Sequence, residues 1–129
     1  MPIWTSDSLA KIGNAEELAI ASRRSDGSLR PFVTIWAVRV EEDIFVRSAA
    51  GPDNPWFRRA IASGQGRIRA DGIEQDVDFE TAAPQVAASI TAAYHAKYDR
   101  YGPSIVGTVV SPEAVASTLR LVPQAASRP

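Results

Sequence analysis

Arg23, Arg24 and Arg30 bracket a tight turn, Ser25-Asp26-Gly27-Ser28. A guanidinium grips phosphate or carboxylate through two parallel hydrogen bonds, which are stronger than neutral ones. Further along, Ser48-Ala49-Ala50-Gly51-Pro52-Asp53-Asn54-Pro55-Trp56 reads as a glycine loop running into a helix start, with Arg58 and Arg59 behind it. Such a start offers free amides and a partial positive charge. These are parts for holding an anionic cofactor or ligand, and they leave the reaction open. Against this stands the plain alternative of surface arginines paired with Glu41, Glu42 and the acids of residues 74–80. Arg58 and Arg59 rank behind the three hairpin arginines.

Trp36 and Trp56 could wall a flat ring, although large aromatics in a strand and a helix more often fill a core. Arg47 is expected on the face opposite Phe45, in a groove or in water. His95 is the single histidine, which excludes a multi-histidine metal site. Asp99, four residues on, could orient its imidazole, but no nucleophile-elbow motif accompanies it, and an exposed helix histidine is the simpler reading. Tyr94, Tyr98 and Tyr101 recur at helical spacing, a packing stripe first and hydroxyl donors second. Glu74, Asp76, Asp78 and Glu80 alternate along a strand. A solvated face is the commoner reading, and no metal site is expected.

The bulk properties narrow the classes. At 129 residues, with 45% hydrophobic and 22% charged side chains, the chain has the size and balance of one globular domain with a real core. The absence of cysteine excludes disulfides, Cys-ligated zinc, iron–sulfur clusters and thiol catalysis. Neither a secretory leader nor an apolar run of membrane-spanning length is visible, so a cytoplasmic protein without a membrane partner is expected. Residues 23–69 hold nine arginines and five acids, a local +4, inside a chain of net −1. A basic segment in an otherwise acidic chain of pI near 5.8 suits a small anion better than nucleic acid.

The elements that must position these residues read as follows. Thr5 caps a short helix stopped by Gly13. Strands are expected at 18–21, 29–40, 44–49, 67–70, 73–80 and 118–122. Asp26-Gly27 and Asp71-Gly72 form hairpin turns. The 29–40 strand is apolar on both faces and is expected to be central and buried on both. Asn54 and Pro55 open a two-turn helix that ends at Gly64 or Gly66. Pro84 opens a long helix to about Tyr101, stopped by Gly102-Pro103. Residues 105–110 are ambiguous, Ser111 caps a further short helix, and the chain from Pro123 is a tail. Six short strands with flanking helices make a mainly β fold with α additions, a small antiparallel barrel. The layout is an N-terminal helix over 1–17, barrel strands over 18–82, a helical region and last strand over 84–122, and a tail over 123–129.

The run from Arg23 to Pro31 is similar to the basic hairpin of the deazaflavin-dependent nitroreductases, members of the flavin-binding split-barrel superfamily. Ser48, Gly51, Asn54, Pro55 and Trp56 match a second motif of those proteins in order and spacing. Over nearly its whole length the chain more closely resembles an uncharacterised bacterial family, the domain of unknown function numbered 2255. Asn54-Pro55-Trp56-Phe57-Arg58-Arg59 and the run from Tyr94 to Pro103 carry that likeness. The resemblance implies a split β-barrel, a homodimer, and a cofactor, FMN or deazaflavin (coenzyme F420), held near the subunit interface. It implies tail contacts from Arg23, Arg24 and Arg30, and phosphate contacts from Ser48, Gly51 and the amides around Asn54 and Trp56. Trp36 and the helix bearing Tyr94, His95 and Tyr98 would border the substrate of a hydride transfer, with Arg47 on the cofactor side. Two further readings stand beside it. One is a noncatalytic barrel that binds an anionic ligand or haem. The other is a cofactor-free cleft enzyme using His95 and the tyrosines. Departures from the nitroreductase pattern are Ala50 in place of a glycine and Arg59 in place of an asparagine.

Overall fold

The computed structural model describes residues 4–49 and 51–124. Seven strands alternate with five α-helices: α1 (Ser6–Asn14), β1 (Leu18–Ser22), β2 (Val33–Ile35), β3 (Ala37–Val40), β4 (Asp43–Arg47), α2 (Pro55–Ser63), β5 (Gln65–Ala70), β6 (Ile73–Thr81), α3 (Ala87–Tyr98), α4 (Pro103–Val110), α5 (Pro112–Ala116) and β7 (Thr118–Pro123). Short 3-10 turns, Pro84–Val86 and Asp99–Tyr101, flank α3.

All strand pairs are antiparallel, in the order β2-β1-β5-β6-β7-β4-β3. The two ends of this sheet, β2 and β3, are separated by Trp36 alone. A chain that passes from one sheet edge to the other in a single residue requires those edges to lie side by side. The sheet is therefore a nearly closed barrel, which leaves little unpaired edge.

This overturns the single long strand expected over 29–40. The alternation holds: Val33, Ile35 and Ala37 face the barrel interior, while Trp36, Val38 and Val40 face outward. Helices cover only the second half of the outer face. Thr34 is exposed, and Phe32 lies under the Arg69 guanidinium at 4.1 Å. The break accounts for seven strands where six were expected.

Two cores lie on either side of the β3–β4 wall. The barrel interior is filled by Leu18, Ile20, Ile44, Val46, Ile68, Leu119 and their neighbours, with Leu9 and Ile12 of α1 and Trp56, Phe57 and Ala60 of α2 closing it. Outside the wall, Val38 and Phe45 pack under Ile90, Tyr94, Tyr98, Val106 and Val109 from α3 and α4. Each fully buried aliphatic or aromatic side chain is worth about 1.5–3 kcal/mol, so these faces fix where the helices sit.

Local signals account for most boundaries. The Thr5 hydroxyl accepts from Ser8 N, and the Ser111 hydroxyl from Ala114 N. Asp71 and Gly72 both have positive φ, the conformation of a two-residue hairpin turn. Other boundaries move. α1 runs through Gly13 to Asn14, β4 ends at Arg47, and residues 103–110 are helical. Pro123 still belongs to β7, and Gln124 N donates to Asp76 O, so the expected tail begins later; residues 125–129 lie outside the described residues. Among the described residues no helix is long and apolar enough to cross a membrane.

Candidate functional site

The hairpin after β1 and the outer stripe of α2 form one open groove of about 780 Å³. Arg23, Arg24 and Arg30 enter from the hairpin; Arg58 and Arg59 enter from α2. Amphipathic spacing builds the second wall. Trp56, Phe57 and Ala60 bury one face of α2, which turns Pro55, Arg58, Arg59 and Ala62 at intervals of three and four onto the groove. That spacing was the sequence signal for Arg58 and Arg59, and it places them beside the hairpin arginines they ranked behind.

The five guanidiniums differ in what they already hold. Arg23 donates to Gly27 O at 2.7 Å and to Asp76 Oδ1 at 2.9 Å. Arg24 closes its own turn, donating to Leu29 O at 2.9 Å and weakly to the Ser28 hydroxyl. Arg30, Arg58 and Arg59 have no hydrogen-bond or ion-pair partner among the described residues, and Arg58 and Arg59 are exposed. The groove therefore presents more cationic donors than the protein satisfies.

The plain alternative holds in part. Asp76 Oδ1 also accepts from Arg67 Nε at 2.8 Å, and Glu74 pairs with Arg67 and Arg69. The Arg67 hydrogen bond, then the nearby Arg67 and Arg23 charges, hold the Asp76 carboxyl below its ordinary range. Glu80 lies 3.7 Å from Arg120, and Asp78 accepts from the Gln124 amide. The acidic strand is thus an ion-pair ladder, and among the described residues no group of three potential metal ligands occurs. Glu41 and Glu42 make no ion pair with the hairpin arginines.

Several other candidates lie elsewhere. Trp56 is core, set edge-on to Phe57. Trp36 stacks on Tyr98 at 3.9 Å, nearly parallel, in the outer core. Ser48 is fully buried, its hydroxyl donating to Gly51 O and its N–H to Ser117 O. Gly51 has φ 113°, and a Cβ there would sit 2.9 Å from the Glu113 Cβ. Its loop is packed against α5. Asn54 caps α2 through its backbone carbonyl, while its side chain caps nothing.

Arg47 points neither into a groove nor into water. It shares the outer face of β4 with Phe45, as the two-residue period of a strand requires and contrary to the opposite face expected, and is 1% exposed beneath α3. Its Nε donates to the Thr118 hydroxyl, Nη1 to the Thr91 hydroxyl and Val109 O, and Nη2 to Ala87 O, all at 2.8–3.0 Å. No carboxylate faces it among the described residues, and burial lowers its pKa. It ties β4 to β7, α3 and α4.

Tyr94 and Tyr98 are fully buried. The Tyr94 hydroxyl accepts from Arg47 N and donates to Trp36 O. That of Tyr98 lies 3.0 Å from Glu16 O and 3.2 Å from Ala37 O. Burial pushes both phenols well above their usual range. His95 is exposed and paired with Asp99 at 2.8 Å. None of the three reaches the arginine groove.

A search of curated protein sequences finds no match. Among solved structures, the chain is similar to HutZ, the haem storage protein from Vibrio cholerae, at 14% identity and TM-score 0.67, covering 98% of this chain and 93% of that one. It is similar to an F420 reductase at 14% identity and TM-score 0.56, covering 90% and 92%. It is also similar to an FAD-binding protein from Mesorhizobium loti at 14% identity and TM-score 0.54, covering 95% and 91%. At such identities the likeness shows the fold, a split barrel as the sequence resemblance implied, and a fold alone does not carry an activity. One family model, described as an uncharacterized protein conserved in bacteria, matches residues 8–121, and the chain belongs to that family, DUF2255.

Proposed function

We propose that this protein binds a flavin or deazaflavin through its phosphate or acidic tail in the arginine groove, and serves hydride transfer to a small organic acceptor. The observation that carries the reading is the convergence of five arginines from two elements on one groove, three of them without a protein partner. The fit is to the anionic part of such a molecule. Arg24, Arg30, Arg58 and Arg59 would hold phosphate or carboxylate oxygens, with Arg23 kept in place by Asp76. The lining has no aromatic ring, so the flat ring would rest beyond it, against the second copy of a homodimer. When bound, the cofactor supplies the hydride chemistry; the chain supplies charge and orientation.

The second reading is a noncatalytic barrel for an anionic ligand or haem. It is favoured by the placement of the acid–base candidates. The hydroxyls of Tyr94 and Tyr98 are engaged inside the fold, and His95 lies outside the groove. The same separation leaves a cofactor-free enzyme built on His95 and the tyrosines without support.

Titration of the purified protein with FMN, the deazaflavin cofactor and haem, followed by fluorescence or absorbance, separates these readings. Binding of a flavin or deazaflavin that is lost in Arg24→Ala/Arg30→Ala supports the first. Binding of haem alone moves the assignment to the second. Binding of none of the three overturns the first reading and the haem form of the second.

A further inference from the structure

The cleft between α1 and α3 is separate from the arginine groove. Both helices cross β3, and the space between them, about 530 Å³, is walled by Leu9, Ala10, Val38, Ala93 and Ala96. Sites for small organic ligands have this character, with apolar walls and a few polar groups that fix orientation. Two cations complete the lining, Arg39 from β3 and Lys97 from α3.

Neither cation has a carboxylate partner among the described residues. Lys97 Nζ donates to Ala37 O at 2.7 Å and stands 5.1 Å from the centre of the Tyr98 ring. An ammonium carries three donors, and only one is used here. Glu16, which acts on it through space, is itself paired with Arg100. Burial brings the Lys97 ammonium down to about 8, the mark of a charge short of compensation. Arg39 donates from Nε to Glu41 O at 2.7 Å, and its terminal nitrogens have no acceptor among the described residues. Gly13 gives Arg39 its place, because a Cβ there would stand 3.1 Å from the Arg39 Cβ and 3.3 Å from its Cδ.

An under-satisfied cation in a partly dry cleft favours an anion that brings its own acceptors. The carbonyls that hold the two cations, Ala37 O for Lys97 and Glu41 O for Arg39, are four residues apart in sequence, so the two charges are anchored apart. Lys97, with two unused donors, is the seat for a carboxylate, Arg39 adds positive charge to the same lining, and the alanines of the two helices call for an apolar remainder. We infer that this cleft is a second binding site, which takes a small monocarboxylate with an apolar body, its carboxylate on Lys97 and its body against Ala10, Ala93 and Ala96.

The chain has two lysines, so the test has an internal control. Lys11 is exposed, pairs only with Asp7 and does not line the cleft. The intact protein is treated with limiting acetic anhydride, and acylation of each lysine is read by peptide mass spectrometry. Benzoate and hexanoate are the probes; benzamide and hexanamide are the neutral controls. Either carboxylate should slow acylation of Lys97 at least fivefold at saturation, as site occupancy requires, and leave Lys11 unchanged. The amides should do nothing. Ala96→Trp, at an exposed position that fills the cleft, should abolish the protection, and Arg24→Ala/Arg30→Ala should leave it intact. The inference is overturned if neither carboxylate protects Lys97 up to about 10 mM, the range of the weakest useful sites. It is equally overturned if protection survives Ala96→Trp.

Discussion

The barrel carries helices on two flanks, and their polar groups are used in opposite ways. On the α3–α4 flank, Arg47, Thr91, Thr118, Tyr94 and Tyr98 bond to one another and to backbone carbonyls, out of water. On the α2 flank, Arg30, Arg58 and Arg59 reach an open groove with no protein acceptor. Both flanks use arginine, so residue type does not separate structure from binding. The separation lies in whether the acceptors are already present. A guanidinium that finds several internal acceptors is part of the fold, whereas a cluster of them without acceptors is repelled internally and gains from an anion.

Removing Arg47 should give the largest effect. Arg47→Met strips the donor from two hydroxyls and two carbonyls in a buried setting, and should cost about 3–5 kcal/mol of unfolding free energy in a denaturant titration. Lysine should rescue little, because one ammonium cannot span acceptors on three elements. A loss under about 1 kcal/mol, the scale of an ordinary surface pair, would erase the contrast between the flanks.

The groove should answer in binding instead. Arg24→Ala/Arg30→Ala should weaken binding of the phosphate-bearing cofactor by more than about tenfold, the scale of a lost charged hydrogen bond. The denaturation midpoint should move little, since neither side chain is buried. Arg58→Ala/Arg59→Ala should do the same. Equal affinity in both double variants would show that the convergence of charge is a surface accident.

Tyr98→Phe tests the packed flank at a single hydroxyl. It leaves the stack on Trp36 in place and removes the donor shared by Glu16 O and Ala37 O. The expected loss is about 1–2 kcal/mol, with cofactor affinity unchanged. A selective loss of turnover at unchanged stability would return this tyrosine to the catalytic role that its spacing on the helix suggested.

What was legible in the sequence was what local chemistry decides. Thr5, Asn54-Pro55, Ser111 and Asp71-Gly72 mark their boundaries because caps and tight turns are satisfied within a few residues. The hairpin arginines were legible because they share one turn. The break at Trp36 was not, because alternation continues through it and only closure of the barrel demands it. Arg47 was not legible either. Its acceptors lie 40–71 residues away in sequence, and nothing near it distinguishes a buried guanidinium from a solvated one. Ser48 and Gly51 fit a phosphate-loop pattern, yet their partners Ser117 and Glu113 come from the far end of the chain.

Asp76 stands at the border of the groove and gives the smallest effect, though it is the sharpest probe of the comparison. Its carboxylate holds Arg23 at the groove and Arg67 on the barrel wall, so Arg23 is half committed. The folded pKa of Asp76 lies below its unfolded value of about 3.9. The stability it contributes is therefore complete at neutral pH, and is lost as pH falls below that value and through the folded one. Asp76→Asn should cost about 1 kcal/mol at pH 7, a modest figure because the pairs are partly exposed. The gap between the variant and the natural chain should close as pH is lowered from 5 toward about 2, where both carry a neutral side chain. At neutral pH the same variant removes a negative charge beside the groove and frees Arg23 from a competing acceptor. Inorganic phosphate should then bind two- to fivefold more tightly, roughly the 0.5–1 kcal/mol of one screened charge pair. If phosphate binds more weakly instead, Asp76 holds Arg23 in its binding pose, and the groove is a preorganised site in which the paired arginine matters as much as the unpaired ones.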